Sequence, residues 1–139
     1  MKKVVVDTNI VISALVKDSV TRDIIFRFSG KLYFLSFSMD ELKKYEQYII
    51  DKTKQDKTEI EKLFEKLLSK MIILDDRDIN LKMEEAKAIM ELIDPDDTPF
   101  IAAAILTGGD IWSDDKHFEK QKRVKVWKTS EIYKMNTEE

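Results

Sequence analysis

The chain has 139 residues, 43% hydrophobic and 37% charged, with three glycines and two prolines. That composition excludes a disordered or fibrous chain, and the length supports a single domain over residues 1–139 with a core that needs no staples. There is no cysteine, which excludes a disulfide framework and a thiolate metal site and suits a reducing cytoplasm. A net charge of −3 from 24 Lys+Arg and 27 Asp+Glu excludes a global basic field for nucleic acid.

Residues 2–7 read as the first strand, an uninterrupted β-branched run (Val4-Val5-Val6) that ends on Asp7-Thr8-Asn9. The run is too short for a signal peptide or membrane span, and Asp7 breaks it. Ile24, Ile25 and Phe28 mark a helix stopped by Gly30. A second strand is expected over 31–37. Residues 51–59 are mostly polar and turn a helical hairpin. Ile60, Leu63, Phe64, Leu67 and Leu68 follow the i, i+3, i+4, i+7, i+8 rule, and Ala86, Ile89, Met90 and Ile93 repeat it. Between them lies a strand at 70–74. Phe100 to Leu106 is apolar all round, so its helix is expected to be the most buried, its alanines allowing close approach to a sheet. Strands at 109–113 and 123–127 follow. Strands alternating with helices predict a three-layer α/β/α sandwich around a mainly parallel sheet of about five strands.

Acids recur where these strands end. Asp7 follows the first, Glu41 comes after the second, Asp94-Pro95-Asp96-Asp97 opens the buried helix, and Asp114-Asp115 follows the fourth. In open α/β sheets, ligands bind beyond the carboxyl ends of strands, so such acids can converge, and converging carboxylates repel unless a cation sits among them. Each has a plainer use. Ser38-Met39-Asp40-Glu41 has the form of a capping box, Asp96 and Asp97 complement a helix dipole, and Asp114 and Asp115 suit a turn. Asp7 is different, because an acid ending a buried strand is costly without a partner.

Val5 to Leu15, Glu41 in Glu-Leu-Lys-Lys-Tyr, Asp94 to Ala104, and Ile111-Trp-Ser-Asp-Asp-Lys-His-Phe118 together resemble the four motifs of the PIN domain. The resemblance covers nearly the whole chain. It implies a divalent-metal site for cleaving single-stranded RNA, in a family where many members are toxins paired with a protein antitoxin and others process RNA. Asp7, Glu41, Asp97 and Asp115 match the four catalytic acids. The last motif usually reads Thr-any-Asp-any-Asp-Phe, so Ser113 takes the threonine position, and His117 stands where a further Asp is common. An imidazole there binds Mg2+ poorly and Mn2+ better.

The chemistry agrees with this assignment. Phosphodiester hydrolysis needs an activated water and charge relief on the phosphoryl group, which Mg2+ or Mn2+ on oxygen ligands supplies. Asp7 and Asp115 are expected as direct ligands, Asp97 as a shared or water-mediated one, and Glu41 as the group that positions or deprotonates water. Thr8, Asn9 and Ser113 are expected to hold the carboxylates by hydrogen bonds.

Residues 116–134 carry seven basic side chains, among them Lys116, Lys120, Lys122 and Arg123, and residues 75–97 carry nine acids. These four are the expected rim for substrate phosphates, with a solvated charged face as the alternative; Arg22, Lys43 and Lys44 are further candidates. Trp112 and Trp127 read as core rather than as stacking platforms. Single-stranded RNA is the expected substrate, with an antitoxin or a second copy of the chain as protein partner. Two other readings stand beside this one: a PIN-like module that binds RNA or protein without cleaving, and a haloacid-dehalogenase-type phosphatase. The phosphatase requires an acid where Asn9 stands.

Overall fold

The structure is a computed structural model that describes residues 2–16 and 19–138. Five strands, β1 (Lys3–Val6), β2 (Lys31–Leu35), β3 (Met71–Leu74), β4 (Asp110–Trp112) and β5 (Val126–Trp127), form one sheet in the order β3-β2-β1-β4-β5. Every pairing is parallel. Helices α1 (Thr8–Val16), α2 (Ser19–Arg27), α3 (Ser36–Lys44), α4 (Glu46–Thr53), α5 (Lys57–Leu68) and α9 (Thr129–Glu138) belong to one side. Helices α6 (Asp76–Asn80), α7 (Met83–Met90) and α8 (Thr98–Thr107) belong to the other.

The alternation of strand side chains explains the layering. Val4, Val6, Leu32, Phe34 and Trp112 pack with Ile10, Ile25, Ile49, Leu67 and Ile132, whereas Val5, Tyr33, Leu35 and Ile111 pack with Ile79, Met90 and Phe100 to Ala104. Val4, Val5 and Val6 are fully buried because β1 is central and covered on both faces, which is why its sequence does not alternate. Helix α8 is indeed buried almost throughout its first seven residues. Gly108, at a φ of 70°, ends it in the left-handed conformation. At Gly30 a Cβ would lie 2.0 Å from the Lys2 carbonyl oxygen, so β2 starts against β1 only because that position is bare.

The strands are shorter than the sequence pattern implies. The second ends at Leu35 because α3 begins at Ser36, and the fifth is reduced to Val126–Trp127. The early start of α3 also removes the capping box. Leu35 occupies the N-cap position with no side-chain hydrogen bond, and Ser38 is the third helical residue, fully buried. Among the described residues no helix is long and apolar enough to cross a membrane.

Candidate active site

The chain leaves β1 toward β2 on one side, while β4 lies on the other, so the carboxyl ends of β1 and β4 form the point where strand order reverses. Asp7 sits there, 5% exposed, its backbone N–H donating to the Trp112 carbonyl at 3.0 Å. Ser113, just past β4, donates its hydroxyl to Asp7 Oδ2 at 2.7 Å and accepts the Asp115 backbone N–H at 3.0 Å. A single buried hydroxyl therefore joins the first and last acidic motifs. Asn9 contributes through its backbone N–H to Asp7, while its side chain is exposed; the expected amide contact is thus made by the main chain.

Thr8 Oγ1 lies 2.8 Å from both Ser38 Oγ and Glu41 Oε1. A carboxylate only accepts, so Thr8 gives its proton to Glu41 and the Ser38 hydroxyl donates to Thr8. Glu41 is thereby turned toward Asp7 rather than toward its own helix start. Ser38 escaped the sequence reading because its spacing from Glu41 imitates a cap. Its full burial is the property that distinguishes the two uses.

Asp97 ends the 3-10 turn Pro95–Asp97 and occupies the N-cap position of α8, yet makes no side-chain capping bond. Its Oδ2 is buried without a hydrogen-bond partner. Burial first, then the charges of Asp94, Asp115 and Asp7, push Asp97 up from 3.8 to about 7. Burial likewise dominates at Asp7, raised to about 6, with Asp115 and Glu41 adding to it and the Ser113 hydroxyl opposing. The four expected acids thus feel one another as a single anionic centre.

Two residues outside the expected acid set border it. His117 Nδ1 lies 3.0 Å from Asp94 Oδ2 and 3.6 Å from Asp115 Oδ1, and Asp115 Oδ1 accepts the His117 backbone N–H at 2.9 Å. One ligand atom each from Asp94, Asp97 and His117 falls within 4.8 Å of the others. The trio Asp7, Asp97 and Asp115 is brought into electrostatic contact without reaching that spacing. Asp94 caps the 3-10 turn, accepting the Asp96 N–H at 3.1 Å; its second oxygen is the one that meets His117.

Asp114 shares a shallow pocket with Asn9 and Asp115, but its carboxylate is committed to the start of α9, accepting the Thr129 N–H at 2.8 Å and the Thr129 hydroxyl at 2.7 Å. The basic candidates separate too. Lys116 follows Asp115 directly in the 3-10 turn Lys116–Lys120, and both Lys116 and Lys120 are exposed. Arg123 instead lines a cleft with Gly108, Gly109 and Asp110 and lies 3.5 Å from Glu85. The strand after it runs parallel to β4, so the chain has already returned to the amino end of the sheet by residue 123. Lys122 is carried there with it. The rim expected from residues 116–123 is therefore reduced to its first part. Arg22 is committed elsewhere, donating to the carbonyls of Ala14 and Leu15 at the end of α1. Trp112 is core, its Nε1 donating to the Thr129 hydroxyl at 3.0 Å. Trp127 lies between Lys2 and Lys125, with Nζ atoms 3.3 and 4.0 Å from its ring centre.

A PIN-domain family model matches residues 5–136. The chain belongs to the PIN-domain family. No curated protein sequence gives a significant match. Among solved structures, this PIN domain is similar to PAE2754 from Pyrobaculum aerophilum, at a TM-score of 0.72 and 14% identity over 99% of this chain and 91% of that one. It is also similar to DNA-bound VapBC from Salmonella typhimurium, at 0.69 and 16% over 93% and 99%. A third likeness is to VapBC2 from Rickettsia felis, bound to a promoter DNA fragment, at 0.68 and 16% over 91% and 98%. At such identities the likeness establishes the fold. PIN domains are in general nucleases, and the acidic group here is one that can bind a metal ion.

Proposed function

We propose that this PIN domain, acting as one unit over residues 1–139, is a divalent-metal-dependent endoribonuclease that hydrolyses phosphodiester bonds of single-stranded RNA. The observation that carries the reading is the buried, unpartnered Oδ2 of Asp97 inside a cluster that raises both Asp7 and Asp97. A buried acceptor without a donor is costly, and a cation among the carboxylates relieves it. The donors are carboxylate oxygens, with one imidazole at the margin, which fits Mg2+ or Mn2+. Asp97 would hold the ion with Asp7 and Asp115, on the side of the closely spaced Asp94 and His117, which are within reach as further ligands. Bound there, it supplies charge relief at the phosphoryl group and acidifies water.

The rest is work for the chain itself. Hydrolysis forms a P–O bond from water and breaks the P–O bond to the leaving oxygen, which takes up a proton. Glu41, fixed by Thr8, orients the attacking water or accepts its proton. Ser113 holds Asp7 and, through the Asp115 backbone, the turn that carries the last acid. Lys116 and Lys120 neutralise substrate phosphates at the rim.

The toxin role, with a protein antitoxin as partner, is supported by fold relatives that are toxin–antitoxin complexes; a homodimer and a cytoplasmic location complete the proposal. The test is degradation of single-stranded RNA in Mg2+ or Mn2+ that stops in EDTA, with thermal stabilisation of the metal-free protein on adding Mn2+. Cleavage that survives chelation refutes it.

A further inference from the structure

Three phenylalanines each lie one turn from a site acid. Phe37 precedes Glu41 by four residues on α3, Phe100 follows Asp97 by three on α8, and Phe118 follows Asp115 by three in the 3-10 turn. On helices these spacings put both members of a pair on one face, with Cβ atoms about 5–6 Å apart. The rings touch in series. Phe37 meets Phe100 edge-on, with centroids 6.5 Å apart at 67°, and Phe100 meets Phe118 at 6.0 Å and 89°. Phe118 and Phe100 are 0% and 3% exposed, but Phe37 is 37% exposed. The series is an aromatic row, each ring one turn from a site acid, that is buried at Phe100 and Phe118 and reaches solvent at Phe37.

The backbone at that ring is held from both sides. Ser36 donates its hydroxyl to Asp76 Oδ1 at 3.0 Å, and Ser38 is bonded to Thr8. Phe37, in the first turn of α3 and 37% exposed while in T-shaped contact with Phe100, is a partly exposed aromatic ring held at the edge of the core. The cation and the rim lysines would serve the phosphates, and base stacking is a grip of a different kind that adds affinity without charge.

We propose that Phe37 forms a nucleobase subsite, stacking on the base of a nucleotide next to the scissile phosphate. The inference rests on the reading of the acidic centre as an RNA-cleaving site. It assigns sequence-tolerant recognition of unpaired bases to a residue that carries no charge, and it gives a physical reason for a single-stranded substrate, whose bases are free to stack.

The test uses the Asp7→Asn protein, so that substrate is bound and not cut, and a fluorescein-labelled ten-nucleotide poly-adenylate RNA, with a matched ribose-phosphate oligomer lacking bases. Adding Phe37→Ala should weaken binding of the RNA about tenfold or more, as loss of one stacked base does, and leave the base-free oligomer unaffected. Phe37→Trp should retain affinity and change indole fluorescence on binding. Phe37→Leu, which keeps an apolar side chain and protects the fold, should be as weak as Phe37→Ala. Equal affinity of Phe37→Ala and its parent for the RNA, or full rescue by leucine, overturns the subsite while leaving the nuclease reading intact. Absence of any RNA binding by the parent overturns both.

Discussion

The replacement Asp7→Asn tests the electrostatic account most directly, because it removes one charge from a buried cluster and keeps a side chain of the same shape. An Asn oxygen at Oδ2 can still accept from Ser113. The Asp7 carboxyl titrates at about 6 rather than 3.8, which corresponds to roughly 3 kcal/mol of ionisation cost in the folded protein at neutral pH. The sign follows from the raised value. The folded state holds its proton more tightly than the unfolded chain, so this contribution is fully present below about pH 4 and is lost as pH rises through 6. Metal-free protein should therefore gain about 1–3 kcal/mol from Asp7→Asn at pH 8, the lower figure allowing for an amide N–H group that must find its own partner. The gain should shrink through pH 6 and vanish below pH 4, although cleavage is abolished throughout. Urea denaturation in EDTA from pH 4 to pH 8, on both proteins, measures it. Equal stability at pH 8, or a gain that grows toward acid, refutes the reasoning.

Other expectations follow from single contacts. Asp115→Asn should abolish cleavage, whereas Asp114→Asn should keep it and lower stability by at most about 1 kcal/mol, having lost one of two acceptor oxygens and a negative charge at the start of α9; the opposite pattern in an RNA cleavage assay would reverse the assignment of the two. Thr8→Val should slow cleavage about 10–100-fold with an unchanged fold by circular dichroism, because Glu41 loses the hydroxyl that orients it. Lys116→Ala in the Asp7→Asn background should reduce the salt slope of RNA binding by roughly 0.7, the value for one phosphate of a single strand, and Arg123→Ala should leave it unchanged. A shared effect would return Arg123 to the rim.

The strand-end acids were legible because a carboxylate closing a β-branched run has few uses, and their order along the chain matched a known set of motifs. Asp114 and Asp115 could not be separated by type, since both are short acids in one turn; only the location of Thr129 shows which way each points. Ser38 was legible in type but not in role, because helix α3 starts two residues before it and a one-dimensional spacing does not say where a helix begins. Arg123 was misplaced for a related reason. Adjacency in sequence to Asp115 does not become adjacency in space, because the intervening residues carry the chain back to the start of β4. His117 and Asp94 lie 23 residues apart, and no local pattern pairs them.

The bond from Ser113 to Asp7 spans 106 positions, and this bears on how the protein is made. Strand β1 leaves the ribosome before either of its neighbours, and of these β4 follows long after β2. In the interval between β2 and β4, Val4, Val5 and Val6 have a partner on one edge alone, and Asp7 is without the hydroxyl that restrains it. Closure of the sheet and completion of the acidic centre are consequently the same late event. A nascent chain stopped between Asp97 and Ser113 would carry three of the four acids and lack the hydroxyl that joins the first acidic motif to the last.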